Sequence, residues 1–139
     1  MHKKILHGLD GSEGSFKALL EAINIAKKYS AELHTLTVEE LPSHPETVSE
    51  ISEEKEGING KYKEMLVRAV ELAKRNGVKL FNHIVIGREV KAFIEFIDKE
   101  KFDLLVIGFM GHSAIYDRVM GSTCQSLVRL VPCSVMVVK

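Results

Sequence analysis

Residues 3–29, KKILHGLDGSEGSFKALLEAINIAKKY, change their hydrophobic period once, and that change decides the fold. Lys3 to Leu9 is short and mostly apolar and runs into Asp10-Gly11-Ser12, the pattern of a buried strand that ends in a turn. Beyond the turn, Phe16, Leu19, Leu20, Ile23 and Ala26 recur at helical spacing to about Tyr29, and Ser12 or Ser15 can cap the helix. A strand feeding directly into an amphipathic helix is half of a βαβ unit.

The rest of the chain repeats this alternation. Leu33 to Val38 reads as a second strand. Leu41 to about Glu56, with two prolines, two Ser-Glu pairs and an acidic run, reads as an exposed linker. A helix follows with Tyr62, Met65, Leu66, Ala69, Leu72 and Ala73 on one face, and Asn76-Gly77 supplies its stop. Leu80 to Ile86 is a third strand closed by Gly87, and Val90, Phe93, Ile94 and Ile97 mark a helix up to Lys101. Leu104 to Ile107 is a fourth strand. Cys124, Leu127, Val128 and Val131 trace a last helix stopped by Pro132, before a fifth strand from Ser134 to Val138. Strands apolar throughout, alternating with helices, demand a parallel sheet covered on both faces. The expected fold is α/β, a doubly wound sheet of five parallel strands, as one domain over residues 1–139.

The composition excludes several classes. With 139 residues, 45% hydrophobic and 27% charged, the chain has an ordinary globular make-up, not that of a disordered, collagen-like or coiled-coil protein. Lys plus Arg and Asp plus Glu both number 19, so no net field steers it to nucleic acid or to an anionic membrane. Near-zero charge also weakens self-repulsion and leaves a homo-oligomer accessible. The N-terminus reaches Gly8 and Asp10 before any apolar signal-peptide region forms, and no run spans a bilayer. Cys124 and Cys133 lack a C-x-x-C or zinc spacing and read as a reduced pair, so the expected location is cytoplasmic.

In a doubly wound sheet, ligands sit beyond the carboxyl ends of the strands where the strand order reverses. If the order is 3-2-1-4-5, that point lies between strands one and four, and Gly8, Leu9 and Asp10 would then face the residues after Ile107. Those residues carry the pattern G-x-x-G-x9-G-S, formed by Gly108, Gly111, Gly121 and Ser122. Glycine lets the backbone approach a ligand closely, and a helix opened by Ser122 would favour an anion such as phosphate. The same glycines also suit plain turns. Asp10 is a candidate acceptor for a ligand amine or hydroxyl, and equally a turn or N-cap residue. Gly121, Ser122 and Thr123 offer N–H groups and two hydroxyls for phosphate or ribose, or simply a helix cap. His112 and Arg118 can reach phosphate from the spacer or remain solvated. The scattered histidines lack metal-ligand spacing, and His7 and His34 are expected to bury among their neighbours or pair with backbone.

Enzyme signatures are sparse. No G-x-x-x-x-G-K-[ST], no G-x-G-x-x-G after strand one and no G-x-S-x-G elbow is present, so fast phosphoryl transfer lacks its usual parts.

Three segments together carry a resemblance to the universal stress protein family (UspA-like), in its ATP-binding branch. They are Lys4-Ile5-Leu6 through Leu9-Asp10-Gly11-Ser12-Glu13 with Ser15 and Ala18; the glycine pattern; and Val131-Pro132-Cys133-Ser134-Val135-Met136-Val137-Val138. The resemblance covers essentially the full length. It implies a Rossmann-like domain of strand order 3-2-1-4-5 with ATP at the glycine pattern. By position, Asp10 and Val38 match family residues near adenine or ribose, Gly108 and Gly111 the ribose and phosphate loop, and Gly121, Ser122 and Thr123 the phosphates. It also implies a homodimer paired through Val135 to Val138 and a regulatory, stress-linked role with little or no hydrolysis. Phe109-Met110 stands where the family often has small or polar residues, and these side chains are expected to pack over the adenine or obstruct it. The resulting expectation is an ATP-binding regulatory domain, with or without magnesium or manganese. The competing readings are a slow ATPase or nucleotidyl-transfer enzyme and a nucleotide-free dimeric interaction module.

Overall fold

The computed structural model describes residues 2–40, 60–109 and 121–139. The linker reading of Leu41 to Glu56, and Met110, Gly111, His112 and Arg118, lie outside these described residues. Nine elements alternate in sequence: β1 (Lys4–Gly8), α1 (Glu13–Tyr29), β2 (Glu32–Glu40), α2 (Lys63–Arg75), β3 (Leu80–Gly87), α3 (Glu89–Glu100), β4 (Leu104–Gly108), α4 (Ser122–Leu130) and β5 (Ser134–Val138). The strands form one parallel sheet in the order β3-β2-β1-β4-β5.

The pleat sends alternate side chains of the central strands into two cores. Ile5, Leu33, Leu104 and Val106 pack against Phe16, Leu19, Ala22, Ile23 and Ala26 of α1 and Ala69 and Ala73 of α2. Leu6, Leu36, Leu105 and Ile107 face the other way, onto Phe93 and Ile97 of α3 and Cys124 and Leu127 of α4. Helices therefore cover both faces. Fully buried side chains such as Leu19 and Ile23 each contribute about 1.5–3 kcal/mol relative to exposure.

Local chemistry sets the element ends. Ser12 is the N-cap of α1, its Oγ accepting the Ser15 N–H at 3.1 Å, with Glu13 in the first turn and Lys27 and Lys28 in the last, as the helix dipole favours. Gly77 takes a left-handed φ of 73° after α2, a conformation that only glycine adopts at little cost.

Several expectations are corrected. Apolar character holds for the central strands, but β3 is half-buried along its whole length and β5 alternates exposed with half-buried residues, because an edge strand lacks a neighbour on one side. Leu20 and Val128, assigned to helix core faces, are 41% and 44% exposed, since each sits just beside the buried stripe of its helix. His34 does bury among its neighbours, between the rings of Phe81 and Phe102, and its ring pairs with side chains: Nε2 lies 2.6 Å from Glu32 Oε1 and Nδ1 2.7 Å from His83 Nε2. His7 does pair with backbone, its Nε2 lying 2.8 Å from the Ser15 carbonyl oxygen. No helix among the described residues is long and apolar enough to cross a membrane.

Candidate functional site

A cavity of about 450 Å³ opens over the carboxyl ends of the central strands. The position follows from the order of the sheet. The crossovers from β1 and from β4 leave in opposite directions, so the ends of these two strands stay uncovered. Gly8, Leu9, Asp10, Val38, Gly108, Gly121, Ser122 and Thr123, eight of the residues singled out in the sequence, line it together.

Asp10 ends β1 and builds the turn behind it. Its Oδ1 accepts the Ser12 N–H at 2.9 Å and the Ser12 hydroxyl at 2.6 Å, while Ser12 in turn caps α1. The turn reading of Asp10 therefore holds whatever else the carboxylate contacts. Gly11 sits at φ 86°, which permits the tight reversal between strand and helix. Below the turn, Thr37 Oγ1 donates to the Leu9 carbonyl at 2.8 Å and the Leu9 N–H to the Leu36 carbonyl at 3.1 Å, so the lip of β1 is anchored to β2.

The two glycines flanking the pattern play different parts. A Cβ on Gly108 would lie 3.0 Å from both the carbonyl carbon and oxygen of Gly14. Its missing side chain thus admits the first turn of α1 against β4, a close approach of backbone to backbone. Among the described residues a Cβ on Gly121 would meet only the Phe109 oxygen, at 3.9 Å. Gly121 is the N-cap of α4 and has no side chain to cap it, so the first N–H groups of α4 reach the cavity wall at Ser122 and Thr123 uncapped. That is the favourable end of a helix dipole for an anion. Neither Ser122 nor Thr123 is the cap residue, contrary to the cap alternative.

Two backbone contacts and one ring contact place Phe109. Its backbone bridges Val138 (N–H to carbonyl, 2.9 Å) and Gly121 (carbonyl from N–H, 3.3 Å), and its ring sits under the Lys139 ammonium at 5.4 Å. Phe109 is not among the residues that line the cavity.

Further lining residues went unnoticed in the sequence: Lys61 and Tyr62 on the α1–α2 side, and Glu89 and Phe93 from α3. Tyr62 and Lys61 both bond the carboxylate of Glu39 at the end of β2, the lysine at 3.2 Å. These contacts hold the Glu39 carboxyl below its usual range, the Tyr62 hydrogen bond being the largest cause, and raise Lys61. Glu89 is pushed up, first by burial and then by the facing charges of Glu40 and Asp10. Its position was findable, because it follows Gly87-Arg88 at the carboxyl end of the third strand. Lys61 and Tyr62 carried no such signal, since α2 reaches the crevice only through tertiary packing. Among the described residues no three His, Cys, Asp or Glu side chains converge as a metal-ligand group.

Comparisons with known proteins agree with this architecture. A universal stress protein of Methanocaldococcus jannaschii is 33% identical over 147 aligned positions, covering 100% of this chain and 83% of that protein. The structure of the universal stress protein UspA from Lactobacillus plantarum superposes with a TM-score of 0.86 at 24% identity, over 99% of this chain and 98% of the other. A universal stress protein crystallised in complex with cAMP superposes with a TM-score of 0.76 at 28% identity, over 99% and 97%. The model of the universal stress protein family matches residues 1–139, and this chain belongs to that family.

Proposed function

We propose that the chain is an ATP-binding regulatory domain that holds the nucleotide in the crevice with little or no turnover. The observation that carries the proposal is the pairing, within one 450 Å³ cavity, of the uncapped amide end of α4 with the carboxylate-bearing turn of β1. The first suits phosphate, and the second suits donors on a ribose or base. The cAMP complex of a relative 28% identical adds weight to an adenine nucleotide. Gly8, Leu9 and Val38 would contact the nucleoside, and Gly121, Ser122 and Thr123 the phosphates. In this reading Gly111, His112 and Arg118 complete the phosphate loop, and magnesium or manganese enters, if at all, with the phosphates. Gly108 serves instead by letting α1 close against β4. Low turnover is favoured by Asp10, whose oxygen is already committed to Ser12.

The exposed edge of β5 gives the same reading a dimer. Val135 and Val137 pack inward while Met136 is 37% exposed on a strand with one unpaired edge, and a second copy pairing along Val135 to Val138 would cover it.

Calorimetric titration with ATP tests the proposal. Saturable binding in wild type that Gly121→Val abolishes is expected, with circular dichroism checking that the variant keeps its fold. Absence of binding to wild type at millimolar ATP would overturn it. Mass spectrometry of gently purified protein, searching for co-purified nucleotide, is an independent check.

A further inference from the structure

We infer that Glu89 reads the exocyclic amine of the bound base and makes the crevice prefer 6-amino over 6-oxo purines. The inference rests on the nucleotide reading above. The crevice crosses the strand ends in the order β4, β1, β2, β3, with the amide end of α4 beside β4, Asp10 on β1, Val38 on β2 and Glu89 immediately after β3. At about 4.8 Å per strand, the path from β4 to β3 is roughly 14 Å. A nucleotide is phosphate, then sugar, then base. Phosphate at α4 places the sugar over β1 and Asp10, and leaves the base over β2 and β3. The carboxylate at that far end is Glu89.

Its surroundings are acidic. Burial, followed by the charges of Glu40 on β2 and Asp10 on β1, raises the proton affinity of the Glu89 carboxyl. Glu40 Oε1 also accepts the backbone N–H of Glu89 at 3.0 Å, which fixes the start of α3 and hence the side chain's origin. The cation nearby on the α2 side, Lys61, is engaged with Glu39. Among the described residues no side-chain hydrogen bond reaches the Glu89 carboxyl, which lines the cavity where a ligand donor would meet it. A 6-amino group supplies that donor. A 6-oxo group would set an acceptor against the carboxylate, the kind of mismatch by which polar sites reject near-isosteric ligands.

Calorimetry with ATP and inosine triphosphate on wild type and Glu89→Gln tests the assignment, with circular dichroism confirming the fold of each protein. Glutamine has the same shape but offers both an acceptor and a donor, so it should bind either base. Wild type should favour ATP by about tenfold or more, and the preference should shrink to within about threefold in Glu89→Gln. If Glu89→Gln does not fold, Glu89→Ala takes its place with the same expected loss of preference. An undiminished preference in the variant, or no preference in wild type, overturns the role of Glu89 while leaving nucleotide binding standing. If wild type binds neither nucleotide, both readings fall.

Discussion

Lowering the pH from 7 to 4 should destabilise this protein through one buried imidazole, His7. The side chain is fully buried in β1, and its Nε2 lies 2.8 Å from the carbonyl oxygen of Ser15. A carbonyl only accepts, so Nε2 carries the proton and donates, which leaves Nδ1 as a bare acceptor. Nδ1 is buried with no hydrogen-bond partner among the described residues. Charging the ring would put a proton on Nδ1 with nothing to receive it and bury the charge, and burial lowers the His7 pKa from 6.5 to about 4. The folded state thus holds the neutral form while the unfolded chain takes up a proton below 6.5. The contribution is fully present above pH 6.5 and is lost as pH falls from 6.5 toward 4. The gap corresponds to about 3 kcal/mol in total, with ~2 kcal/mol already gone at pH 5.

Urea unfolding at pH 7, 6, 5 and 4, on wild type and His7→Gln, isolates this effect. Glutamine can still donate to the Ser15 carbonyl but does not titrate, so the difference between the two proteins removes the contributions of Glu32, Glu39 and His83. That difference should favour wild type less, or the variant more, by about 2 kcal/mol between pH 7 and pH 5. A difference that stays flat across this window would refute the reasoning.

The remaining predictions concern the crevice scaffold. Gly108→Ala should cost roughly 1–3 kcal/mol in chemical denaturation, because its Cβ would press on the Gly14 backbone, whereas Gly121→Ala should unfold within about 0.5 kcal/mol of wild type. Equal effects of the two would show that the close approach of α1 to β4 is not what Gly108 provides. Ser12→Ala removes the cap of α1 and should lower stability by ~1 kcal/mol, measured by the same unfolding curves. No change in those curves would mean that the cap contributes nothing to α1.

The sequence by itself determined the element order and the parallel sheet; the strand order, and with it the place of the crevice, was an expectation from the family resemblance that the sheet pairing bears out. One period change at Asp10-Gly11-Ser12, repeated down the chain, allows few other arrangements, and the switch point then follows from the strand order. The places of Asp10 and Gly121 on the crevice were legible because a crevice at strand ends must be lined by the residues that follow those ends. What only the tertiary structure decided were the roles. Gly108 reads in sequence as a residue for a ligand and in space as a residue for Gly14, since backbone proximity between segments far apart in the chain leaves no local trace. Phe109 stacks its ring under Lys139, and Lys61 and Tyr62, just before α2, and Phe93 on α3 reach the crevice from segments whose periodicity reports only the buried stripe and not what lies at the rim. His7 has the same character: its place in an apolar strand announced burial, and that burial makes it resist protonation, but its tautomer follows from a single carbonyl, that of Ser15, which α1 brings to it.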